Sequence, residues 1–283
     1  MRDIYQEVTD RLLAQLEAGT LPWVRPWNTG NAGAPSLPYS MVTKRAYSGV
    51  NIPILWGAGY ASQGWMTYKQ AQSLGAQVRA GEKGTTGVYM DKFIPKAEKG
   101  NDDAKARYFL KAFTLFNAEQ IDGLPVVAAP VAQSMPERHA EADRVIAATG
   151  ATFHIGGDKA YYVPSADFIA TPPPAAYDLP LAWYRTAFHE LGHWTGHKAR
   201  LDRDLANRFG SHAYAAEELV AEMSSAFSCA RLGLEPGIRH ADYLASWIAA
   251  MKENNKIIFS AASAASKATD YVFADRETAK AAA

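Results

Sequence analysis

His189-Glu190-Leu191-Gly192-His193 places two imidazoles four residues apart, with a carboxylate directly after the first. On an α-helix, positions i and i+4 lie one turn apart on one face, so both rings can reach a single metal ion. The glutamate projects beside them and is placed to act as general base on a metal-bound water. The pattern points to metal-assisted hydrolysis, most often of a peptide bond. It lies inside a periodic segment, Leu181 to His197. Leu181, Tyr184, Phe188 and Leu191 form the apolar stripe there, and the histidines occupy a neighbouring face.

A catalytic metal of this kind commonly takes three protein ligands and keeps one position open. Three sources compete for the third. In Glu217-Glu218-Leu219-Val220-Ala221-Glu222, the pair Glu218 and Glu222 shares one helix face away from the stripe Leu219, Met223, Phe227 and Ala230. That suits Glu218 as ligand and Glu222 as a group orienting a histidine from behind, a layout resembling that of the glutamate-zincins. Glu217, about 100° around the helix, is the alternative ligand. His197 is the second source; on an unbroken helix it would stand about 12 Å along the axis from His189. A histidine six residues after His193 would be a further option, but Ala199 occupies that position. His240, ahead of a later helix, is the third source. Glu218 is the expected ligand. Glu190 would take a proton from water and return it to the leaving amine. Tyr161-Tyr162-Val163 would be an edge strand for an extended substrate. Tyr214, His212 and His240 are candidate oxyanion donors.

The chain as a whole reads as α+β in two parts. An amphipathic helix carries Ile4, Val8, Leu12, Leu13 and Leu16 and ends at Gly19. A Trp-, Gly- and Pro-rich loop follows to Pro38. Gly64 to Leu74 reads as a short helix, and Gly81-Glu82-Lys83-Gly84 as a hairpin turn into the strand Thr86 to Met90. Pro95 to Ala106 reads as a mobile loop, and Arg107 to Asn117 as another strand. The reading divides into a small α+β domain at 1–125, a linker at 126–136 and a mainly helical domain with a small sheet at 137–283. In the second domain a helix, Arg138 to Thr149, precedes a hairpin of Thr152 to Ile155 and Ala160 to Val163. Helices are then expected at Leu181 to His197, Tyr214 to Leu232, His240 to Met251 and Asn255 to Val272.

Of the 283 residues, 48% are hydrophobic, enough for a packed core, so the chain is not a disordered one. No apolar run reaches the ~18 residues of a membrane span, and the N-terminus lacks a signal-peptide core. A cytoplasmic protein with no membrane partner is the expectation. The single cysteine, Cys229, excludes an intrachain disulfide and reads as a buried small hydrophobe. Net charge is zero, but residues 1–125 carry 14 basic and 11 acidic side chains against 15 and 18 in the remainder. That balance permits nucleic-acid contact in the first part without demanding it.

The run His189 to His197, then Arg200-Leu201-Asp202-Arg203, Phe209-Gly210 and Glu217 to Glu222, resembles the C-terminal zincin-like domain of ArdC-type antirestriction proteins. Ala160 to Ser165 and His240 to Trp247 fit the same pattern. So, in the first part, do Leu21 to Trp27, Arg45 to Asn51, Gly64 to Ala71, Gly81 to Gly84 and Phe116-Asn117, a module also found in TraC-type plasmid primases. The resemblance covers nearly the whole chain. It implies a single-stranded-DNA-binding N-terminal domain joined to a SprT-like metallopeptidase domain. It also implies a plasmid-borne role in conjugation, protecting incoming DNA from host restriction. The metal would be Zn2+, with Mn2+ as another divalent ion that the ligand set accepts. The protein substrate stays unspecified.

Sequence-independent binding of a single strand needs cationic side chains with aromatic platforms. The candidates are Trp23, Arg25, Trp27, Lys44, Arg45, Tyr47, Trp65, Lys69, Arg79 and Lys83, with Tyr68 beside them. The competing assignment for each aromatic is a place in the core. The competing function is a DNA-shielding protein whose zincin domain is structural or catalytically idle.

Overall fold

In a computed structural model the described residues are 3–23, 36–93, 107–124, 139–179, 181–205, 212–234 and 243–274. Helix α1, Ile4–Glu17, starts where the Asp3 carboxylate accepts the Gln6 amide, and it buries Val8, Leu12, Leu13 and Leu16. Gly19, at φ +76°, turns the chain out of it. Strand β1 (Tyr39–Ser40), helix α2 (Asn51–Trp56), strand β2 (Gly64–Met66), helix α3 (Tyr68–Ser73) and strand β3 (Gln77–Val78) follow. Two long strands, β4 (Thr85–Phe93) and β5 (Arg107–Asn117), pair antiparallel and extend a sheet of order β1-β2-β5-β4. Strand β6, Ile121–Asp122, pairs with β3 in a separate ribbon.

Two expectations for this half are corrected. Gly64–Met66 is not helical: Trp65 and Met66 pair with Asn117 and Phe116, and the helix starts only after Thr67. There the Thr67 and Gln70 side chains cap each other's backbone amides, a start signal that overrides the apolar run before it. The turn at Gly81–Gly84 joins strands of different sheets, because β3 pairs with β6 rather than with β4.

The second half begins with α4, Ala140–Ala148, and a three-stranded sheet of β7 (Thr152–Ile155), β8 (Tyr161–Val163) and β9 (Phe168–Thr171). The expected β7–β8 hairpin is replaced by the order β7-β9-β8. Strand β9 enters the middle, parallel to β7 and antiparallel to β8, because Ile169, Ala170 and Thr171 are buried and need cover on both sides. The true hairpin is β8–β9, closed through Asp167 in the left-handed region at φ +51°. Strand β8 is left at the edge. Helices α5 (Ala182–Thr195), α6 (His212–Arg231), α7 (Leu244–Glu253) and α8 (Ile257–Val272) complete the fold. No described helix is long and apolar enough to cross a membrane.

The two halves share their largest core. Leu12, Leu16, Trp23, Ile52, Leu55, Trp56 and Trp65 from the first half join one cluster with Leu219, Met223, Phe227, Trp247, Ile258 and Ala262 from the second. Trp56 meets Phe227 edge-on at 5.9 Å, and Trp23 meets Trp247 at 5.5 Å. Polar ties cross as well: Thr9 Oγ1 donates to the Asn255 carbonyl at 2.7 Å, and the Gly49 amide to Ser266 Oγ at 2.8 Å. A second cluster packs α4, β9 and α5 against Cys229 and Val272. Helix α6 thus lies between both cores. The expected linker, 126–136, and the expected loop, 95–106, lie outside the described residues.

Candidate metal centre

Helices α5 and α6 approach closely at Gly192. A Cβ there would stand 2.3 Å from Ser224 Oγ and 3.0 Å from Ala221 Cα. The glycine inside the motif is therefore the packing position that lets α6 bring its carboxylates to the histidines. The His189 and His193 rings stand edge to face at 5.0 Å. Glu218 Oε2 lies 3.5 Å from His189 Nε2, and its Oε1 lies 3.6 Å from His193 Nε2. Donor atoms of His189, His193 and Glu218 all fall within 4.8 Å of one another, the one such group of metal-ligating type among the described residues.

A second carboxylate stands behind each histidine, hydrogen-bonded at His193 and close by at His189. Glu222 Oε2 is 3.4 Å from His189 Nδ1, and Glu217 Oε1 is 3.2 Å from His193 Nδ1. Glu217 is held in turn by Arg203, whose Nε and NH2 donate to its two oxygens at 3.0 and 2.9 Å. Arg203 also donates to Thr195 Oγ1 at 3.0 Å and to the Gly192 carbonyl at 2.6 Å. Glu217, weighed from the sequence as a ligand, thus sits on the Nδ1 side of His193, away from the Nε2 atoms that converge with Glu218. His197 follows the helix end at Gly196, and its Nδ1 accepts the Ala199 amide at 3.1 Å; it is not in the three-residue group. His240 lies outside the described residues.

Burial alone would make the histidines less basic, but the carboxylates around them win. Glu217 and Glu218 push the His193 pKa up to about 10, and Glu218 and Glu222 raise that of His189. Burial would raise the Glu218 and Glu217 carboxyls. The facing histidines, with Arg203 at Glu217, instead hold both below the usual range. Burial pushes the Cys229 thiol up to about 12, consistent with an inert core residue.

The site opens into a cleft of about 270 Å³, lined by Glu190, by Tyr161 and Tyr162 of β8, and by Leu205, Tyr214 and Tyr243. Arg200 fastens β8 to the metal-site helix. Its NH1 donates to Asp167 Oδ2 at 3.0 Å and its NH2 to the Tyr162 hydroxyl at 3.1 Å, while the guanidinium lies 3.9 Å over the Trp194 ring. The Tyr162 hydroxyl donates to Asp167 at 2.8 Å. Helical spacing does not reveal the anchoring roles of Arg200 and Arg203. Their one signal is the Arg-Leu-Asp-Arg run directly after the motif helix, which gives two cations and no partner.

The candidate DNA-contacting residues divide sharply. Trp23 and Trp65 are core side chains, 0% and 1% exposed, so neither offers a ring face to a base. Tyr47 is half-buried against the shared core. Arg79 is committed to Glu82 at 2.7 Å and Asp122 at 3.3 Å. Lys44, Arg45, Lys69 and Lys83 are exposed, and so is Tyr68. Arg25 and Trp27 lie outside the described residues.

This geometry defines a two-domain α+β protein whose second half is of zincin-like metallopeptidase type. Comparison with known families agrees. Residues 140–264 match the zincin-like metallopeptidase family, and residues 2–116 match the N-terminal domain of the anti-restriction factor ArdC. The crystal structure of the antirestriction protein ArdC from plasmid R388, metal-free, is 40% identical and superposes with a TM-score of 0.83 over 99% of both chains. Its Mn(II)-bound form gives 0.79 over 96% of this chain and 97% of that one. An uncharacterized protein of Sinorhizobium fredii is 40% identical over 98% of this chain and 94% of its own length. Two Escherichia coli proteins named DNA primase TraC are 42% and 43% identical over 96% of this chain. The chain spans only 20% and 27% of those primases. The chain belongs to the ArdC antirestriction family.

Proposed function

We propose that this protein binds single-stranded DNA through its N-terminal half and hydrolyses a peptide bond at a divalent-metal site of His189, His193 and Glu218. Together these activities would shield incoming DNA from restriction. The observation that carries the reading is the convergence of two Nε2 atoms and one carboxylate beside Glu190 in an open cleft. Tetrahedral coordination at zinc bond lengths of about 2.0–2.1 Å separates neighbouring donors by roughly 3.3–3.4 Å. Glu218 turns one oxygen to each Nε2, at 3.5 and 3.6 Å, and one donor from each of the three residues lies within 4.8 Å of the others, so an ion would have to draw them a little closer together. The Mn(II)-bound relative supports a divalent metal, and an imidazole–carboxylate set takes either zinc or manganese.

When bound, the metal would supply Lewis-acid polarisation of water and of the scissile carbonyl. Glu190 takes the proton from the attacking water and passes it to the leaving nitrogen. Glu222 and Glu217 fix the ring orientation of the histidines from their Nδ1 sides. Strand β8, at the sheet edge and lining the cleft, pairs with an extended substrate segment. On the N-terminal half, the exposed Lys44, Arg45, Lys69 and Lys83 contact phosphates, with Tyr68 as the accessible aromatic. The antirestriction name of the R388 relative and the primase names of the others favour a DNA role.

Glu190→Gln tests the enzymatic reading. Peptidase activity on a denatured protein falls by about 10²–10⁴ while metal is retained. Antirestriction that survives this substitution intact would favour the shielding reading with an idle zincin domain. In filter binding, a linear log–log salt dependence supports phosphate contacts, and a flat, weak response removes the DNA role.

A further inference from the structure

The cleft holds two tyrosine hydroxyls that proton transfer at Glu190 does not use. Tyr214 stands on α6 one turn before Glu218, so the i,i+4 spacing puts it on the same face as that carboxylate. Its hydroxyl is 3.2 Å from the hydroxyl of Tyr243, the residue that enters α7. Tyr243 is fixed in turn. Its ring stacks on Trp247 at 6.1 Å, and Trp247 Nε1 donates to the Ala215 carbonyl of α6 at 3.1 Å. The pair is thus braced against the helix that carries Glu218.

A tetrahedral intermediate puts negative charge on the former carbonyl oxygen. A donor aimed where that charge forms lowers the barrier more than one aimed at the ground state. Four tyrosines line the described cleft. The Tyr162 hydroxyl is engaged with Asp167 and Arg200, and Tyr161 is 49% exposed on the edge strand. Tyr214 is the one set on the Glu218 face with a second hydroxyl to orient it; its own hydroxyl reaches the Glu218 carboxylate, beside the donors a metal would join, and would turn from that carboxylate to the substrate oxygen. The side chain of His212 and the whole of His240 lie outside the described residues.

We infer that Tyr214 donates a hydrogen bond to the carbonyl oxygen of the scissile peptide as it becomes an oxyanion, and that Tyr243 positions that hydroxyl by donating to it. The inference rests on the peptidase reading. The water oxygen bonds to the carbonyl carbon, the C=O π pair moves onto oxygen, and the water proton goes to Glu190. Collapse returns the pair to carbon and breaks the C–N bond, while Glu190 delivers its proton to the nitrogen. Tyr214 keeps its own proton throughout, so it acts as catalyst without being consumed.

The test compares wild type, Tyr214→Phe and Tyr243→Phe, each checked for metal content. Readouts are hydrolysis of fluorescent casein and, by calorimetry, binding of a phosphinic peptide that mimics the tetrahedral intermediate. Tyr214→Phe should retain metal and KM, lose about 10²–10³ in kcat, and lose phosphinic-peptide affinity in similar proportion. Tyr243→Phe should lose about tenfold in kcat, with the same split from KM. Tyr214→Phe with wild-type kcat and phosphinic affinity overturns the tyrosine assignment alone. A metal-loaded wild type that neither cleaves casein nor binds the phosphinic peptide overturns the peptidase reading and this inference with it.

Discussion

The metal cleft and the N-terminal half use aromatic and charged side chains in opposite ways. In the cleft, charged groups are buried and reciprocally paired: Glu218 faces both Nε2 atoms, while Glu222 and Glu217 face the two Nδ1 atoms. In the N-terminal half the large aromatics Trp23, Trp56 and Trp65 are buried, and the cations Lys44, Arg45, Lys69 and Lys83 stand in solvent. The first region is a preorganised site whose geometry is set by two helices. The second is a distributed surface resting on a core shared with those same helices. A buried charge needs a specific partner, so its place is dictated; an exposed lysine needs none.

That contrast yields graded tests. Phe227→Ala empties the core face of α6 against Trp56 and should cost about 3–5 kcal/mol. Because the core is common, urea unfolding followed by probes in both halves should show one transition at lower urea. Separate transitions would mean the halves are independent. Gly192→Ala drives a methyl into Ser224 and Ala221 and should cost about 1–3 kcal/mol. Metal uptake should weaken with it, whereas an equally small change on the N-terminal surface leaves metal uptake intact. Arg203→Met frees Glu217 and should lower metal affinity about 10–100-fold in a competition titration with a chromophoric chelator.

Proton linkage provides a fourth test. The carboxylates raise the His193 pKa to about 10, so metal must displace a proton at neutral pH. Apparent metal affinity should therefore rise between pH 6 and pH 8, by up to about tenfold per unit for each proton released, and proton release should be measurable in weakly buffered solution. In the metal-free protein the sign reverses. The stabilisation from protonated His193 is fully present below its ordinary value near 6.5 and is lost as pH rises through about 10. The smallest effect belongs to the exposed surface. Each of Lys44→Gln, Lys69→Gln and Lys83→Gln should lower the single-strand salt slope by about 0.7 if that lysine contacts a phosphate, with metal uptake unchanged.

The cleft was largely legible because its information is local. Spacing alone puts His189 with His193 and Glu218 with Glu222, and each pair is one helical turn. What spacing does not carry is the meeting of α5 with α6, which depends on Gly192 facing Ala221, and the arginines that return to the site from beyond the helix end. Strand β9 was hidden for a related reason. A buried central strand shows no alternation, so Thr152 to Val163 reads as a simple hairpin until Ile169 and Ala170 claim the middle. Trp23 and Trp65 look the same in sequence whether they stack on bases or fill a core. Only packing against Trp247 and Tyr60 separates the two.

As proposed above, Glu218, and not His197, completes the set begun by His189 and His193. Metal content of the purified wild type, Glu218→Ala and His197→Ala, measured by plasma emission after equilibration with zinc or manganese, tests it directly. With Glu218 as ligand, about one equivalent is expected in the wild type and in His197→Ala, and loss of metal in Glu218→Ala. Metal lost from His197→Ala but kept by Glu218→Ala would contradict it.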